Sequence, residues 1–236
     1  MLSYQAGDGY VPNVVHFSDG PIGMSPSFHA QPFLMQAALM YVDQTGDLAW
    51  AEKQYEPLES YLGYYETACR SPRGLFRWPM VNQGGFDNDV VSFFQPDTVV
   101  SCDLSSWLTL EYKAAANLAA RLKQPRKQAD YAKTAAVLAD QIEDVLWCDE
   151  VDSYAAYNLC TASHLFSFRE EGLDKSVGKY TYQTSSNLIP LYARIPGPDR
   201  AKAMIERYVL SEDHFLSPFG IRSLSRSSEF YNHAIW

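Results

Sequence analysis

The chain has 236 residues, of which 47% are hydrophobic, 14% aromatic and 20% charged, so it can bury a substantial core in one domain or two small ones. Its formal net charge of −9, without a basic cluster, argues against nucleic acid and anionic membranes as partners. No apolar run is long enough to span a bilayer and the first residues show no signal-peptide pattern, so we expect a cytoplasmic protein.

The first two predicted helices form a pair. Phe33–Gln44 is apolar on most sides, which predicts a largely buried helix. The turn Thr45–Asp47 stops it and caps the next helix, Leu48 to about Arg70. In this second helix the apolar residues fall on one stripe, which is typical of an amphipathic outer helix.

An irregular stretch, Ser71–Asp103, interrupts the helical pattern. It combines Pro, Gly and Asn with five aromatic residues, and long connections of this kind are often functional. Gly84 and Gly85 allow a tight turn that would present Asp87 beside the ring of Phe86.

The helical pattern then returns twice. Ser101 or Asp103 would cap a third helix that runs to about Lys123, and a fourth spans Arg126–Trp147. The later predicted elements are a short strand at Ser153–Tyr157, helices Ser186–Arg194 and Arg200–Leu210, and a loop-like tail, Ser211–Trp236. Three pairs of a buried and a one-sided helix predict two concentric helical layers, an all-α, α/α toroid, in a single domain spanning residues 1–236.

The four cysteines, at positions 69, 102, 148 and 160, are scattered and contain no CxxC motif. This spacing predicts reduced core thiols. We therefore predict no metal site, and the sequence indicates no cofactor.

Several segments, taken in order, resemble glycoside hydrolase family 63 and its mannosylglycerate hydrolase-like relatives. The matching segments are Ala30–Phe33, Tyr41–Asp47, Gly74–Trp78, Gly85–Asn88, Asp103–Leu104 with Glu111–Tyr112, Leu146–Tyr157, Leu188–Leu191 and Gly220–Ser225. The resemblance covers nearly the whole chain and implies an (α/α)6 barrel of the six-hairpin glycosidase type. It implies an inverting α-glycosidase that acts on an α-glucoside or α-mannoside, of the oligosaccharide or glycosyl-glycerate kind.

Inverting hydrolysis needs a protonated carboxylic acid at the glycosidic oxygen and a carboxylate base on the opposite face of the sugar. By resemblance to the family's Gly-Met-Asp-Asn segment, Asp87 is the general acid. The family usually has Ser-Pro after its Asp-Asn, whereas this chain has Asp89 and Val90. The segment with the family's catalytic base is expected beyond Trp236, so we expect the chain to be part of a barrel that could be inactive on its own.

The expected substrate-binding residues are Trp78, Phe86, Asn88, Gln31 and Asp103. For most of them a structural role is open as well. Trp78 could be a sugar-stacking platform or a core residue, Asp103 could only cap a helix, and Gln31 could bond to backbone or to a sugar hydroxyl.

Two other functions stay open at this point. A sugar epimerase on the same scaffold would need paired histidines facing the centre of the barrel, and the five histidines are dispersed. A degenerate relative could bind carbohydrate without turnover. The partner expected under each of these hypotheses is a small carbohydrate.

Overall fold

A computed structural model describes residues 2–12, 15–16, 23–24, 31–79, 91, 98–164, 183–228 and 231. The chain divides into two compact units. Unit 1 comprises Met1–Phe76 and Trp107–Leu138, and unit 2 comprises Arg77–Ser106 and Ala139–Trp236.

The described residues contain six α-helices, which confirms the all-α class. They are α1 (Leu34–Thr45), α2 (Leu48–Ala68), α3 (Cys102–Arg121), α4 (Pro125–Leu146), α5 (Ile189–Tyr192) and α6 (Pro198–Met204). Two short 3-10 helices cover Leu2–Tyr4 and Ser185–Leu188, and a π-helical turn, Ile205–Val209, continues α6.

The turn between α1 and α2 has the predicted chemistry. Gly46 adopts a left-handed conformation (φ 71°) and its amide donates to the Val42 carbonyl at 2.8 Å, which ends α1. The Asp47 carboxylate then accepts the Trp50 amide at 2.9 Å and caps α2. The local sequence is therefore sufficient to place this boundary.

Helix α1 is less buried than predicted. Met35, Ala38 and Val42 form its buried stripe, whereas Phe33 before it, Met40 and Tyr41 are 40–60% exposed. The prediction was wrong because apolar composition does not reveal which sides of a helix have packing partners. Helix α2 buries the predicted stripe, which includes Tyr55, Leu58, Tyr61, Leu62 and Tyr65.

Helices α3 and α4 show the predicted contrast between an inner and an outer helix. Most of the circumference of α3 is buried, including polar residues such as Ser105, Thr109 and Glu111. In α4 only one stripe is buried, formed by Ala135, Leu138, Ile142 and Leu146. Of the two residues predicted to cap α3, Ser101 directly precedes the helix, whereas Asp103 lies inside its first turn.

The described strands are all two residues long. They are β1 (Val15–His16), β2 (Gly23–Met24), β3 (Val99–Val100), β4 (Trp147–Cys148), β5 (Ser153–Tyr154), β6 (Tyr157–Asn158), β7 (Ser163–His164), β8 (Leu216–Ser217) and β9 (Gly220–Ile221). All pairings are antiparallel: β1 with β2, β4 with β5, β8 with β9, and β6 between β3 and β7. The predicted strand Ser153–Tyr157 is thus two strands in two different sheets.

The last part of the chain is more ordered than a loop. Strands β8 and β9 form a hairpin within the predicted loop-like tail, with Phe219 fully exposed at its tip. The predicted helix Ser186–Arg194 is a 3-10 turn followed by α5, and α6 begins at Pro198 because proline is well suited to a first helical turn.

The cysteine prediction holds for three of the four residues. Cys69, Cys102 and Cys148 are buried, Cys160 is exposed, and all four are free thiols. Among the described residues no helix combines the length and apolar character that crossing a membrane requires.

Candidate active-site residues

The segment that leads toward the predicted acid begins with a tight turn. The Ser71 amide donates to Leu75 at 2.7 Å, and the Gly74 amide donates to Ser71 at 2.9 Å. Gly74 has a φ of 83°, which favours glycine at this position. The Arg70 guanidinium stabilises the turn by donating to the Gly74 carbonyl at 2.5 Å.

The Arg70 side chain makes further contacts within unit 1. Its side chain donates to both Glu66 carboxylate oxygens, at 2.5 and 2.7 Å, and lies 4.4 Å from the centre of the Phe76 ring. The Tyr112 hydroxyl donates to the same carboxylate. These contacts connect the end of α2, the Gly74 turn and α3 in one hydrogen-bonded network.

Two of the predicted site residues, Trp78 and Asp103, are in direct contact in unit 2. The Trp78 indole N–H donates to Asp103 Oδ2 at 3.0 Å. Asp103 Oδ1 accepts the Leu104 amide at 2.7 Å and the Ser101 hydroxyl. Trp78 is only 5% exposed and Asp103 only 1%, so their arrangement is fixed by the interior of the unit.

Burial raises the pKa of the Asp103 carboxyl above its ordinary range. The hydrogen bonds from Ser101, Trp78 and the Leu104 amide act in the opposite direction, because they favour the ionised form. The net result is a buried carboxyl that holds a proton more readily than a carboxyl in water.

A second buried carboxyl, Glu111, lies in unit 1 at the start of α1. Its oxygens accept the Met35 amide at 2.8 Å and the Gln36 amide at 3.1 Å. The Gln36 side chain adds a bond of 3.0 Å, and the Tyr61 hydroxyl also bonds to Glu111. Since the first amides of a helix have no partner within it, Glu111 caps α1 from another helix.

Burial also raises the pKa of Glu111, while the bonds from Met35, Gln36 and Tyr61 favour ionisation. The sequence prediction did not include this residue as a structural or functional carboxylate. A glutamate among the apolar residues of an inner helix is the signal that could have identified it, because such a buried charge needs a dedicated set of donors.

The remaining predicted site residues are Gln31, Phe86, Asp87 and Asn88. Gln31 belongs to unit 1 and is half-buried. The predicted acid Asp87, with Phe86 and Asn88, lies outside the described residues. Their assigned roles therefore stay predictions.

Several solved structures have a similar fold. The GH63 mannosylglycerate hydrolase from Thermus thermophilus, solved in complex with Tris and D-glycerate, aligns with a TM-score of 0.75 at 15% identity, over 100% of this chain and 69% of that one. The same hydrolase in complex with glucose gives a TM-score of 0.71 at 18% identity, over 98% of this chain and 67% of that one.

Two further structures differ more in length from this chain. A sialidase aligns with a TM-score of 0.70 at 16% identity, over 91% of this chain and 18% of its own. Neutral trehalase from Saccharomyces cerevisiae aligns with a TM-score of 0.58 at 13% identity, over 84% of this chain and 46% of its own. The chain thus spans about two thirds of the hydrolase and a smaller part of the other two.

These likenesses define the class: the chain has the helical fold of the (α/α)6 glycosidases, as the sequence predicted. The family follows from the sequence itself. Residues 1–236 match the mannosylglycerate hydrolase MGH1-like glycoside hydrolase domain, and the chain belongs to that family. The predicted glycoside hydrolase relationship is therefore confirmed.

Proposed function

We propose that this chain belongs to an inverting α-glycosidase, with Asp87 as the general acid. The observation that carries the proposal is the family match over residues 1–236, which includes the Gly85–Asn88 segment. The proposed substrate is an α-glucoside or α-mannoside, either an oligosaccharide or a glycosyl-glycerate. The hydrolase of similar fold that was solved with glucose and with D-glycerate supports this class of substrate.

The proposed reaction needs two carboxyl groups on opposite sides of the scissile bond. Asp87 would protonate the glycosidic oxygen as the bond breaks, while a carboxylate base activates water on the opposite face of the sugar. We assign no base within residues 1–236. The neighbouring aromatic residue Phe86 supports the acid role, because apolar surroundings raise the pKa of a carboxyl group.

Trp78 and Asp103 are proposed to form a fixed wall of the sugar subsite. Their hydrogen bond of 3.0 Å leaves the indole little freedom to rotate, so its ring plane is set before a substrate binds. With 5% of Trp78 exposed, any contact with a sugar is confined to a small part of the ring. Gln31 and Asn88 are proposed to supply polar contacts to the sugar, and Phe86 an apolar one.

The test is a pair of variants of the protein. Asp87→Asn keeps the shape of the side chain and removes the proton, so kcat on unactivated α-glucosides and α-mannosyl-glycerates should fall by about a hundredfold or more. The matched control Asp89→Asn changes a carboxylate two residues away and should cost much less. Activated aryl glycosides, whose leaving groups need less protonation, should show a smaller loss for Asp87→Asn.

The product anomer, followed by NMR before mutarotation, tests the inverting step. A product of the opposite anomeric configuration to the substrate supports it, and retention of configuration would contradict it. If Asp89→Asn were inactive and Asp87→Asn near wild type, the acid assignment would be wrong. Sugar binding without any turnover by the wild type would instead indicate a non-catalytic carbohydrate-binding relative.

A further inference from the structure

Three side chains with different metal-binding atoms come together in unit 2, away from the Trp78–Asp103 pair in the sequence. Cys148 is in β4, Glu150 follows it in the turn to β5, and His164 is in β7. Their Sγ, carboxylate oxygen and ring nitrogen all lie within 4.8 Å of one another. The cluster joins the β4–β5 hairpin to a strand of a different sheet.

We propose that Cys148, Glu150 and His164 form a zinc-binding site. Sulfur, imidazole nitrogen and carboxylate oxygen are the three ligand types that zinc uses in proteins. A thiolate and a carboxylate together also balance the two positive charges of the ion. Three protein ligands leave a fourth tetrahedral position for water or a small ligand.

The contacts of His164 fit a metal ligand. One ring nitrogen, Nε2, bonds to the Val145 carbonyl at 3.1 Å. Because a carbonyl only accepts, this bond favours the tautomer with the proton on Nε2, and the metal would then bind to the lone pair of Nδ1. Histidine ligands in metal sites are typically held by this kind of second bond, which fixes the tautomer and the ring orientation. The ring also packs edge-on against Tyr157, with centroids 5.7 Å apart.

The other two ligand side chains already share a hydrogen bond, which a metal ion could replace. The Cys148 thiol donates to Glu150 Oε2 at 3.0 Å, so a hydrogen lies between the two atoms that would bind the ion. Cys148 is packed in the interior against Val151 and Ala155, which fixes the sulfur. Glu150 is exposed and lies in a turn, so it can move toward the ion.

The required movement is small. Metal–ligand distances of about 2.0–2.3 Å place the ligand atoms of a tetrahedral zinc site about 3.5 Å apart. The three atoms here are within 4.8 Å, so closure by about 1 Å would form the site. The same turn also carries the carboxylates of Asp149 and Asp152, which make it acidic. The Arg207 guanidinium contacts the Asp152 carboxylate at 2.7 Å, and the Arg200 guanidinium lies 4.0 Å from the Asp149 carboxylate.

The test uses the tag-free protein, stripped of metal by a chelator and titrated with Zn²⁺ in competition with a chromophoric chelator. The wild type should bind one zinc ion per chain, and Glu150→Gln should bind it at least about tenfold more weakly. Because Glu150 is exposed, this variant is expected to fold. The matched control is Asp149→Asn, which removes an exposed carboxylate from the same turn and should keep near wild-type affinity.

Cobalt tests the sulfur ligand directly. Co²⁺ bound to the wild type should show thiolate-to-metal charge-transfer absorption, which Cys148→Ser abolishes and Cys160→Ser retains. Zinc at about a hundredfold excess over its Kd should raise the wild-type Tm by about 5 °C. Equal zinc affinity of the wild type and Glu150→Gln, or a cobalt spectrum without the thiolate band, would overturn the proposal.

Discussion

Two buried carboxyls on α3, Asp103 in unit 2 and Glu111 in unit 1, are satisfied in different ways. Glu111 accepts two backbone amides from the start of α1, as well as side-chain bonds from Gln36 and Tyr61. Asp103 accepts only local backbone amides, its own and that of its neighbour Leu104, together with side-chain donors, including the Trp78 indole. Both are almost completely buried.

The difference separates a structural carboxylate from a candidate site carboxylate. Glu111 replaces the missing partners of a helix start, so its removal leaves backbone amides buried and unpaired. Asp103 orients the side chain of Trp78, a predicted site residue. Burial and a raised pKa are common to both residues, so these two properties alone do not identify a functional site.

The largest expected effect is that of Glu111→Ala. We expect it to lower the free energy of unfolding by about 3–5 kcal/mol, because the Met35 and Gln36 amides lose their acceptor inside the protein. Urea denaturation measures the loss. The control Glu52→Ala, at an exposed position of α2, should stay within about 0.5 kcal/mol of wild type. A loss below about 1 kcal/mol for Glu111→Ala would mean that water or another group replaces the cap.

A double-mutant cycle on Trp78→Phe and Asp103→Ala tests the hydrogen bond made by Asp103. Each substitution removes one partner of the 3.0 Å bond, and the coupling free energy should be about 0.5–3 kcal/mol. The readout is unfolding in urea for the four proteins. A coupling energy near zero would show that Asp103 does not hold the indole, and the proposed fixed wall would then lose its support.

Asp47→Ala tests a helix cap that comes from the residue directly before the helix, for comparison with the cap that Glu111 provides from another helix. Asp47 accepts the Trp50 amide in a bond that is only part-buried, so its loss should cost about 1 kcal/mol. Asp47→Ser keeps an acceptor oxygen and should be close to wild type in the same thermal or urea unfolding experiment. If Asp47→Ala were as damaging as Glu111→Ala, burial would not be what distinguishes the two caps.

The smallest expected effect is the contribution of Glu111 to the pH dependence of the free energy of unfolding. Its folded pKa is raised, so the folded protein holds this proton more tightly than the unfolded chain does. As the pH rises above about 4, the unfolded form loses the proton first, and the contribution of Glu111 to stability falls until the folded pKa is passed. The difference in unfolding free energy between wild type and Glu111→Gln, measured from about pH 4 to 8, should decrease and then level off. An increase with pH would contradict the raised pKa.

The sequence predicted the elements whose signals are local. The bounds of α1, α2, α3 and α4 agree with the predicted ones to within about two residues, since apolar periodicity and turns such as Thr45–Asp47 act over short distances. The ordered set of family motifs also led correctly to the class of fold and to the family.

Features that depend on distant partners were not predicted. The exposure of Phe33 and Met40 depends on what packs against α1, and the cap by Glu111 depends on a helix about 75 residues away. The cluster of Cys148, Glu150 and His164 forms because the β4–β5 and β6–β7 strand pairs fold together, so the sequence shows no CxxC-like spacing. Trp78 and Asp103 were both selected from the sequence, but their mutual hydrogen bond was not.

The cap on α1 also has a consequence for the order of folding. Glu111 and the amides that it accepts are 75 and 76 positions apart, so the chain must close a long loop before α1 gains its cap. Helix α2 needs only Asp47, three positions from Trp50. We therefore expect α2 to gain amide-exchange protection early in refolding, and the start of α1 only after α3 has formed.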